Sequence, residues 1–454
     1  MRISATVALY ALANLRPASA IDLDITDQNS IKSTASIIAH GMMNYYSGNL
    51  TGQTPGLLPS PYYWWEAGAM FGSLIDYWYY TGDTTYNDVV TQAMLFQVGP
   101  EDNYMPPNQT KSLGNDDQSF WGLAAMSAAE LKFPNPPAKS PQWLALAQGV
   151  FNSQAQVWDN STCNGGLRWQ KFTFNTGYNY KNSISNGCFF NMASRLGFYT
   201  KNESYFDWAN SAWNWAEGVK LLSTNGSSIF VVDGTDDTEN CTSLNPQKWS
   251  YNAGVYLLGA SVMYNQTSGD TQALWKTRVE GLIAGASSYF FENKIMLETL
   301  CEPQGNCDTD QLSFKAYLSR WMAASIKLTD FVEPLVLPLL QASAQAAAKS
   351  CSGGTDGVTC GTKWTTGAFD GTYGVGQQMS ALEVVQSLLI DNVRGPVSNV
   401  TGGTSAGDPS AGTNTGNSYG YFEGPITTGS RAGAGVITAM VIIGLVGGAW
   451  WMVV

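Results

Sequence analysis

The sequence repeats one helical unit six times, and this recurrence restricts the fold more than any other feature. Each unit opens with a polar or aromatic cluster and continues as a helix that is rich in small residues and apolar almost all round. The clusters begin near residues 62, 115, 182, 249, 308 and 374 and read YYWWEAG, NDDQSFWG, NSISNG, WSYNAG, DTDQLSFK and GVGQQMS. A helix that is apolar on every side must be surrounded by other protein.

Each apolar helix has a more amphipathic partner. These partners are predicted near residues 27–46, 84–97, 142–158, 204–222, 270–290 and 330–348. An amphipathic helix faces water on one side, so the pattern predicts an all-α fold, an (α/α)6 barrel of six inner and six outer helices. Strand content should be small, because alternating runs are few. If the inner helices run parallel, their opening clusters meet at one end and line a single cavity.

The two ends of the chain read as targeting signals. Residues 1–20 combine Arg2, an apolar stretch and Ala18-Ser19-Ala20, which predicts a signal peptide. Residues 430–454 are mostly apolar and no basic flank follows, which predicts a removed GPI attachment signal, with attachment between about 424 and 430. A simple tail anchor is the alternative. We assign residues 21–392 to the barrel and residues 393–429, rich in Gly, Ser and Thr, to a linker.

The cysteines and glycosylation sequons indicate a secreted protein at the cell surface, held by the plasma membrane or the cell wall. Seven cysteines leave at least one unpaired. From spacing and elimination, the expected set is Cys301–Cys307, Cys351–Cys360 and Cys163–Cys241, with Cys188 as a buried free thiol. Eight sequons should lie in surface loops and begin at Asn49, Asn108, Asn160, Asn202, Asn225, Asn240, Asn265 and Asn399.

Composition excludes several kinds of chemistry. His40 is the only histidine, so no histidine cluster can hold a metal, and any nucleophilic site built on histidine would have to use it. The 23 Lys and Arg against 35 Asp and Glu give a net charge of -12 without a basic run, which excludes nucleic acid as a partner. We expect no cofactor, since no metal-binding loop is present. The aromatic-rich, weakly charged composition suits a neutral, hydroxylated ligand.

The strongest candidate for catalysis is Asp116-Asp117, in a first helical turn for which Asn115 is the expected N-cap. Retaining glycoside hydrolysis needs two carboxyl groups about 5–5.5 Å apart, one as nucleophile and one as proton donor. A helix N-terminus favours an ionised carboxylate, while repulsion and burial raise the pKa of the second. The alternative is that the two acids only decorate a helix start. The similar pair Asp236-Asp237 reads as an exposed loop.

The other opening clusters supply candidates for substrate binding. Aromatic faces stack on the C–H face of a pyranose, and polar side chains hydrogen-bond its hydroxyls. The candidates are Trp65, Glu66, Tyr180, Lys181, Asn182, Asn186, Trp249, Tyr251, Asn252, Asp310, Gln311 and Lys315. Some have a structural alternative: Glu66 could be an internal hydrogen-bonding group, and the amides of Asn182 and Asn186 could serve only to cap a helix start.

The chain resembles glycoside hydrolase family 76, and within it the fungal GPI-anchored mannosidase-like proteins of cell-wall assembly. The resemblance rests on YYWWEAGAMFGSLIDYW, GNDDQSFWGLAAMSAAE, CNGGLRWQ, NYKNSISNGCFFNMASRL, QKWSYNAGVYLLGA and CDTDQLSFKAYLSRW, in this order. It implies an (α/α)6 barrel that acts with retention on α-1,6-linked mannose, with Asp116 as nucleophile and Asp117 as general acid/base.

The resemblance also implies a role in processing GPI-anchored mannoproteins or cross-linking them into the fungal wall. The donor would be a mannose-containing glycan, either α-1,6-mannan or the GPI core glycan, and β-glucan a possible acceptor. Water or a sugar hydroxyl could intercept a covalent glycosyl-enzyme, so hydrolysis and transfer both stay open. The alternative function is a non-catalytic mannan-binding scaffold of the wall. The intact aspartate pair favours the enzyme.

Overall fold

The computed structural model describes residues 20–413 and 428–453. Residues 20–413 belong to one compact unit, and the helix at 428–453 belongs to a second. The predicted signal peptide, apart from residue 20, lies outside the described residues. The same holds for residues 424–427 of the predicted attachment region.

Within residues 20–413, twelve α-helices follow one another as predicted. They are α1 (Gln28–Met43), α2 (Trp64–Thr81), α3 (Asn87–Phe96), α4 (Asn115–Glu130), α5 (Trp143–Ala155), α6 (Ser183–Thr200), α7 (Glu203–Gly218), α8 (Ser250–Gln266), α9 (Gly269–Tyr289), α10 (Phe314–Ile326), α11 (Glu333–Ser350) and α12 (Val375–Gln386). The even-numbered helices are the inner ones. Their predicted positions are confirmed to within a few residues at the ends, where helix boundaries are least defined.

The inner helices close into a ring. Each contacts the next along the chain, and α12 contacts α2. Burial follows the predicted contrast: α6 is buried from Ser183 to Tyr199, whereas α7 buries a single stripe and exposes the rest. Small residues allow close approach, since a Cβ at Gly187 would clash with Val255 and Tyr256 of α8. The (α/α)6 barrel is therefore confirmed.

The strands are short and lie at the periphery of the barrel. In the described part of the chain they are β1 (Tyr180–Asn182), β2 (Leu222–Asn225), β3 (Ser228–Val231), β4 (Gly234–Asp236), β5 (Leu244–Asn245), β6 (Phe291–Glu292) and β7 (Ile295–Met296). They pair antiparallel, and β1, β4 and β5 form a three-stranded sheet. This sheet stands directly before α6, at the end of the barrel where the inner helices begin.

The cysteine and sequon predictions agree with the structure. The disulfides are Cys163–Cys241, Cys301–Cys307 and Cys351–Cys360, and Cys188 is free and buried. All eight sequon asparagines are exposed. Each is therefore accessible to a glycan.

Packing on the barrel continues beyond the boundary predicted at residue 392. Residues 393–413, which we call the C-terminal strap, lie along the barrel surface. Val397 N–H donates to Glu130 O at 2.9 Å, and Ser405 Oγ accepts from Leu144 N–H at 2.9 Å. Composition alone suggested a linker, but an extended segment rich in Gly, Ser and Thr can also be fixed when its backbone groups find partners.

Helix α13 (Thr428–Val453) forms the second unit. Its window Arg431–Gly448 has a mean hydropathy of 1.7, and by length and composition the helix could cross a membrane. These properties suit a GPI attachment signal and equally a tail anchor.

Candidate active site

The opening residues of the inner helices surround a cleft of about 620 Å³ at one end of the barrel. Its lining consists of Trp65, Asp116, Asp117, Phe120, Trp169, Tyr180, Asn182, Asp233, Tyr251, Asp310 and Phe314. These residues come from α2, α4, α8, α10 and the segments that precede α6, α8 and α10. The predicted convergence therefore takes place for five of the six clusters, since no residue of the cluster at 374–380 lines the cleft.

The aspartate pair lies in the first turn of α4, half-buried at the cleft. The helix begins at Asn115, and its N-cap residue is Gly114 rather than the expected Asn115. Gly114 N–H donates to Asp117 Oδ2 at 2.7 Å, and Asp117 N–H donates to Asp116 Oδ1 at 3.1 Å. The Asn115 amide is used elsewhere, donating to Arg168 O at 2.8 Å. Backbone donors at the helix start thus hold both carboxyl groups.

The two carboxyl groups hold protons with different strength. Burial, followed by the neighbouring charge of Asp117, raises the pKa of Asp116 well above its ordinary value. Burial also raises the pKa of Asp117, but only to about 6, because the Gly114 N–H and the nearby Lys171 charge favour its ionised form. Above about pH 6 the pair therefore carries one proton. The direction of the two shifts favours the protonated form of Asp116 over that of Asp117, whereas the predicted acid is Asp117.

Lys171 lies behind the pair and was not predicted. Its Nζ donates to Asn115 Oδ1 at 2.7 Å, and its backbone N–H donates to Leu113 O at 3.4 Å. Burial lowers the pKa of Lys171 to about 7, against the opposing effect of the two aspartate charges. The side chain is therefore charged in acid and loses its charge near neutrality.

Another part of the cleft wall combines aromatic faces with a third carboxyl group. Trp65 Nε1 donates to Asp310 Oδ1 at 3.2 Å, and burial raises the pKa of Asp310 to about 7. Tyr251 stacks on Phe314 with ring centroids 3.8 Å apart. Aromatic faces beside hydrogen-bonding groups match the two surfaces of a sugar ring.

A hydrogen-bond network at the start of α6 presents further polar groups. Tyr180 Oη donates to Asp233 Oδ2 at 2.5 Å, and Asn245 Nδ2 donates to the same oxygen at 3.0 Å. Asn182 caps α6 by accepting from Ser185 N–H at 3.2 Å, and it also lines the cleft. The capping and binding interpretations of Asn182 are therefore compatible.

Three predicted binding residues are used inside the protein instead of in the cleft. Their polar atoms already have buried partners, so they cannot turn toward a ligand. Lys181 Nζ donates to Gly165 O at 2.6 Å and pairs with Asp159 at 3.1 Å, Asn186 bonds the backbone of Leu167, and Lys315 pairs with Glu302 at 2.7 Å. Their closeness in sequence to cleft residues does not fix direction, since side chains along a strand or helix point to different sides.

Four more predicted residues also do not line the cleft. Glu66 and Asn252 are fully buried, and neither side chain has a hydrogen-bond partner among the described residues. Burial raises the pKa of Glu66 well above its ordinary value, which favours the protonated form. Trp249 packs edge-on against Phe314, and Gln311 bonds within its own turn.

Four lining residues were missed by the sequence reasoning: Phe120, Trp169, Asp233 and Phe314. Phe120 follows Asp116 by four positions, so helical spacing could have found it. Phe314 belongs to an opening cluster, and Trp169 to a segment that carries the family resemblance. No local sequence pattern indicated Asp233, because its position in the cleft depends on the neighbouring sheet. Its backbone carbonyl accepts a hydrogen bond from Ser183 N–H at 2.8 Å.

No group of three or more His, Cys, Asp or Glu in the described ranges could hold a metal ion. The lining of the cleft itself holds four carboxyl groups, those of Asp116, Asp117, Asp233 and Asp310. Two adjacent carboxyl groups that share a proton can together donate a proton and attack as a nucleophile.

Comparison with solved structures supports the barrel. Dfg5 from Chaetomium thermophilum, in complex with glucosamine, is 45% identical with a TM-score of 0.84, over 88% of this chain and 99% of that one. An α-1,6-mannanase of Salegentibacter sp., an inactive variant with two aspartates changed to asparagine and in complex with α-1,6-mannotriose, has a TM-score of 0.62. It is 17% identical over 79% of this chain and 99% of that one.

Comparison with known sequences agrees with the structural likeness. The model for glycosyl hydrolase family 76 matches residues 30–400. The mannan endo-1,6-alpha-mannosidase DCW1 of Saccharomyces cerevisiae is 46% identical over 445 residues, 98% of each chain. With the match covering the whole ring of helices around the cleft, this chain belongs to glycosyl hydrolase family 76 and is a glycoside hydrolase.

Proposed function

We propose that this protein cleaves α-1,6-linked mannose with retention, using Asp116 and Asp117 as its two carboxyl groups. One observation carries the proposal: two consecutive carboxyl groups line the cleft at a helix start, where burial raises the pKa of both. A retaining glycosidase needs one ionised and one protonated carboxyl group at the scissile bond.

The reaction takes two steps. First, the nucleophilic carboxylate attacks the anomeric carbon, the bond to the leaving sugar breaks, and the acid gives its proton to the leaving oxygen. Second, water or a sugar hydroxyl attacks the same carbon, gives its proton to the carboxylate that acted as acid, and frees the nucleophile. Transfer and hydrolysis differ only in the attacking hydroxyl.

We assign Asp116 as nucleophile and Asp117 as general acid/base, following the family resemblance. These roles require the proton of the pair to lie on Asp117 when substrate is bound. A glycosidic oxygen can only accept a hydrogen bond, so its approach to Asp117 favours the protonated form of that carboxyl group. The pair titrates as a unit, which makes such a transfer accessible.

The substrate we propose is a mannose-containing glycan, either α-1,6-mannan or the GPI core glycan. The relative DCW1, named a mannan endo-1,6-alpha-mannosidase, supports this choice, as does the mannotriose bound by the mannanase variant. Trp65 and Tyr251 offer apolar faces for the sugar ring. Tyr180, Asn182 and Asp310 offer hydrogen bonds for its hydroxyls.

We further propose that the protein works at the cell surface. In this proposal residues 1–20 direct secretion and a GPI anchor is added between about 424 and 430. The length and hydropathy of α13, the three disulfides and the eight exposed sequons support an extracellular location. There, transfer of a mannose-containing glycan to β-glucan would attach mannoproteins to the wall.

The test uses the purified ectodomain, with Asp116→Asn and Asp117→Asn as variants. Each is incubated with α-1,6-mannan and with GPI core glycan, and the products and the binding affinity are measured. We expect cleavage or transfer from the wild type only, with binding retained in both variants. Equal binding without turnover by all three proteins would instead establish a non-catalytic scaffold.

A further inference from the structure

The C-terminal strap begins at the end of the barrel opposite the cleft. Val375 N–H, at the start of α12, donates to Tyr62 Oη at 3.1 Å, beside the start of α2, so α12 begins at the cleft end and finishes at the other. The strap follows from there. Tyr79, near the end of α2, donates to Arg394 O, and Val397 N–H donates to the carbonyl of Glu130, the last residue of α4, at 2.9 Å.

From this end the strap runs back along α5. Three hydrogen bonds mark its course from the first turn of α5 to the residue after its last turn. They join Leu144 N–H to Ser405 Oγ at 2.9 Å, Asn152 Nδ2 to Ala411 O at 2.8 Å and Gln156 Nε2 to Gly412 O at 3.2 Å. The strap therefore spans the full length of this outer helix.

The strap reaches the cleft end beside the aspartate pair. Gln156 lines a polar hollow of about 680 Å³ together with Asn115 and Lys171, which flank the pair. Gly412 is held at both backbone groups, since its N–H also donates to Glu101 O at 3.1 Å. The position at which the chain leaves the barrel is thus fixed next to the cleft.

We propose that the strap orients the enzyme on the membrane. By returning the chain to the cleft end, it makes the tether leave beside the cleft, so that the cleft faces the lipid bilayer. The favoured substrates are then glycans attached to lipid in the same leaflet, ahead of polymers farther out in the wall. This inference rests on the GPI anchor of the proposed function.

The dimensions show why the exit point matters. Helix α2 has 18 residues and is therefore about 27 Å long. From residue 413 to an attachment site at 424–430 there are about 11 to 17 residues. A tether that left at the opposite end would add about the length of an inner helix to the distance between the cleft and the bilayer. Exit beside the cleft keeps the cleft within reach of the bilayer surface.

The experiment measures which end of the barrel lies nearer the membrane. Ser112→Cys, just before α4, places a thiol at the cleft end, and Asp270→Cys, in the first turn of α9, places one at the opposite end. Both positions are exposed, whereas Cys188 is buried. The full anchored chain is labelled with a donor dye on spheroplasts that carry an acceptor dye in the outer leaflet. We expect higher energy transfer from position 112, and equal or reversed transfer would overturn the proposal.

A phospholipase C specific for phosphatidylinositol separates this proposal from the anchor on which it rests. If the enzyme releases no labelled protein, the GPI anchor itself is contradicted. Release of the protein together with equal transfer from both labels contradicts only the orientation.

A strap variant provides the matched control. Asn152→Ala with Gly412→Ala loosens the end of the strap on α5, because it removes the bond to Ala411 O and places a Cβ 2.2 Å from Gly149 O, and neither residue lines the cleft. We expect the difference in energy transfer between the two labels to shrink, while cleavage of soluble α-1,6-mannan stays within about twofold. A difference that persists unchanged would show that the strap does not set the orientation.

Discussion

Lys171 Nζ donates a 2.7 Å hydrogen bond to Asn115 Oδ1, one residue before Asp116-Asp117. The bond holds a positive charge behind the carboxyl pair. The charge is present below the pKa of Lys171, about 7, and it lowers the pKa of Asp117. Removing it with Lys171→Met should raise the pKa of Asp117 and move the acid limb of the kcat/KM profile to higher pH. If that limb moves by about one pH unit, activity at a fixed pH on it falls about tenfold.

The matched control for this prediction is Lys171→Arg, which keeps the charge. The acid limb of its pH profile should stay close to that of the wild type, because both side chains are charged below about pH 7. Identical profiles for the Met and wild-type enzymes, measured on α-1,6-mannan, would show that Lys171 has only a structural part.

Azide should distinguish the roles of the two aspartates. With a substrate whose leaving group needs no acid, Asp117→Ala still forms the glycosyl-enzyme, which azide then intercepts to give a product of retained configuration. In Asp116→Ala, azide takes the place of the nucleophile and gives the inverted product. Without azide, each variant should lose about 10²–10⁴-fold in kcat. NMR of the anomeric proton reads the outcome, and exchanged products would reverse the assignment.

Tyr180 and Lys181 are neighbours in β1, but the Tyr180 side chain lines the cleft and the Lys181 side chain is buried in the protein. Substitutions at the two positions therefore separate an effect on catalysis from an effect on stability. Tyr180→Phe removes the hydrogen bond to Asp233, and we expect kcat/KM to fall about 5–10-fold with little change in stability. Lys181→Met breaks a buried pair with Asp159, and we expect the free energy of unfolding to fall by about 3 kcal/mol. Denaturant unfolding measures the stability of each variant, and kcat/KM is measured per folded molecule. A loss of stability in Tyr180→Phe together with a loss of kcat/KM in a stable Lys181→Met would contradict the assignments.

Glu298 should make the protein more stable in acid. Burial raises its pKa from 4.5 to about 8 in the folded state. A raised pKa contributes stability that is complete below about pH 4.5 and is lost as pH rises toward 8, an effect on the order of a few kcal/mol. Glu298→Gln should therefore flatten the dependence of stability on pH. Urea unfolding at several pH values between 4 and 8 measures the free energy of unfolding of each protein. If this free energy depends on pH in the same way in the wild type and in Glu298→Gln, the prediction is refuted.

The barrel could be predicted from sequence because burial affects every position of an inner helix. A run such as α6, buried from Ser183 to Tyr199, tolerates few charges and needs small residues where neighbouring helices approach. The aspartate pair could be found for a related reason. Two adjacent acids at the start of such a helix are costly unless the site uses them.

The parts that could not be predicted depend on contacts between distant segments. Asp233 reaches the cleft through a sheet, and no local pattern records that pairing. The pair Asp236-Asp237 was wrongly read as an exposed loop, since the Asp237 side chain is 5% exposed and pairs with Arg168. The strap was missed for the same reason. Its residues resemble a linker until the partners on α4 and α5 are known.

Closure of the inner ring has a consequence for how the chain is made. The seam joins α2 to α12, and the hydrogen bond between Tyr62 and Val375 spans 313 positions. At a translation rate of about 5–20 residues per second, roughly 15–60 s pass between synthesis of its two sides. During that interval the face of α2 that packs on α12 has no partner for its apolar surface. A chain stopped before α12 would leave this face of α2 and the facing side of α10 exposed, and we expect it to be degraded rather than to form a smaller ring.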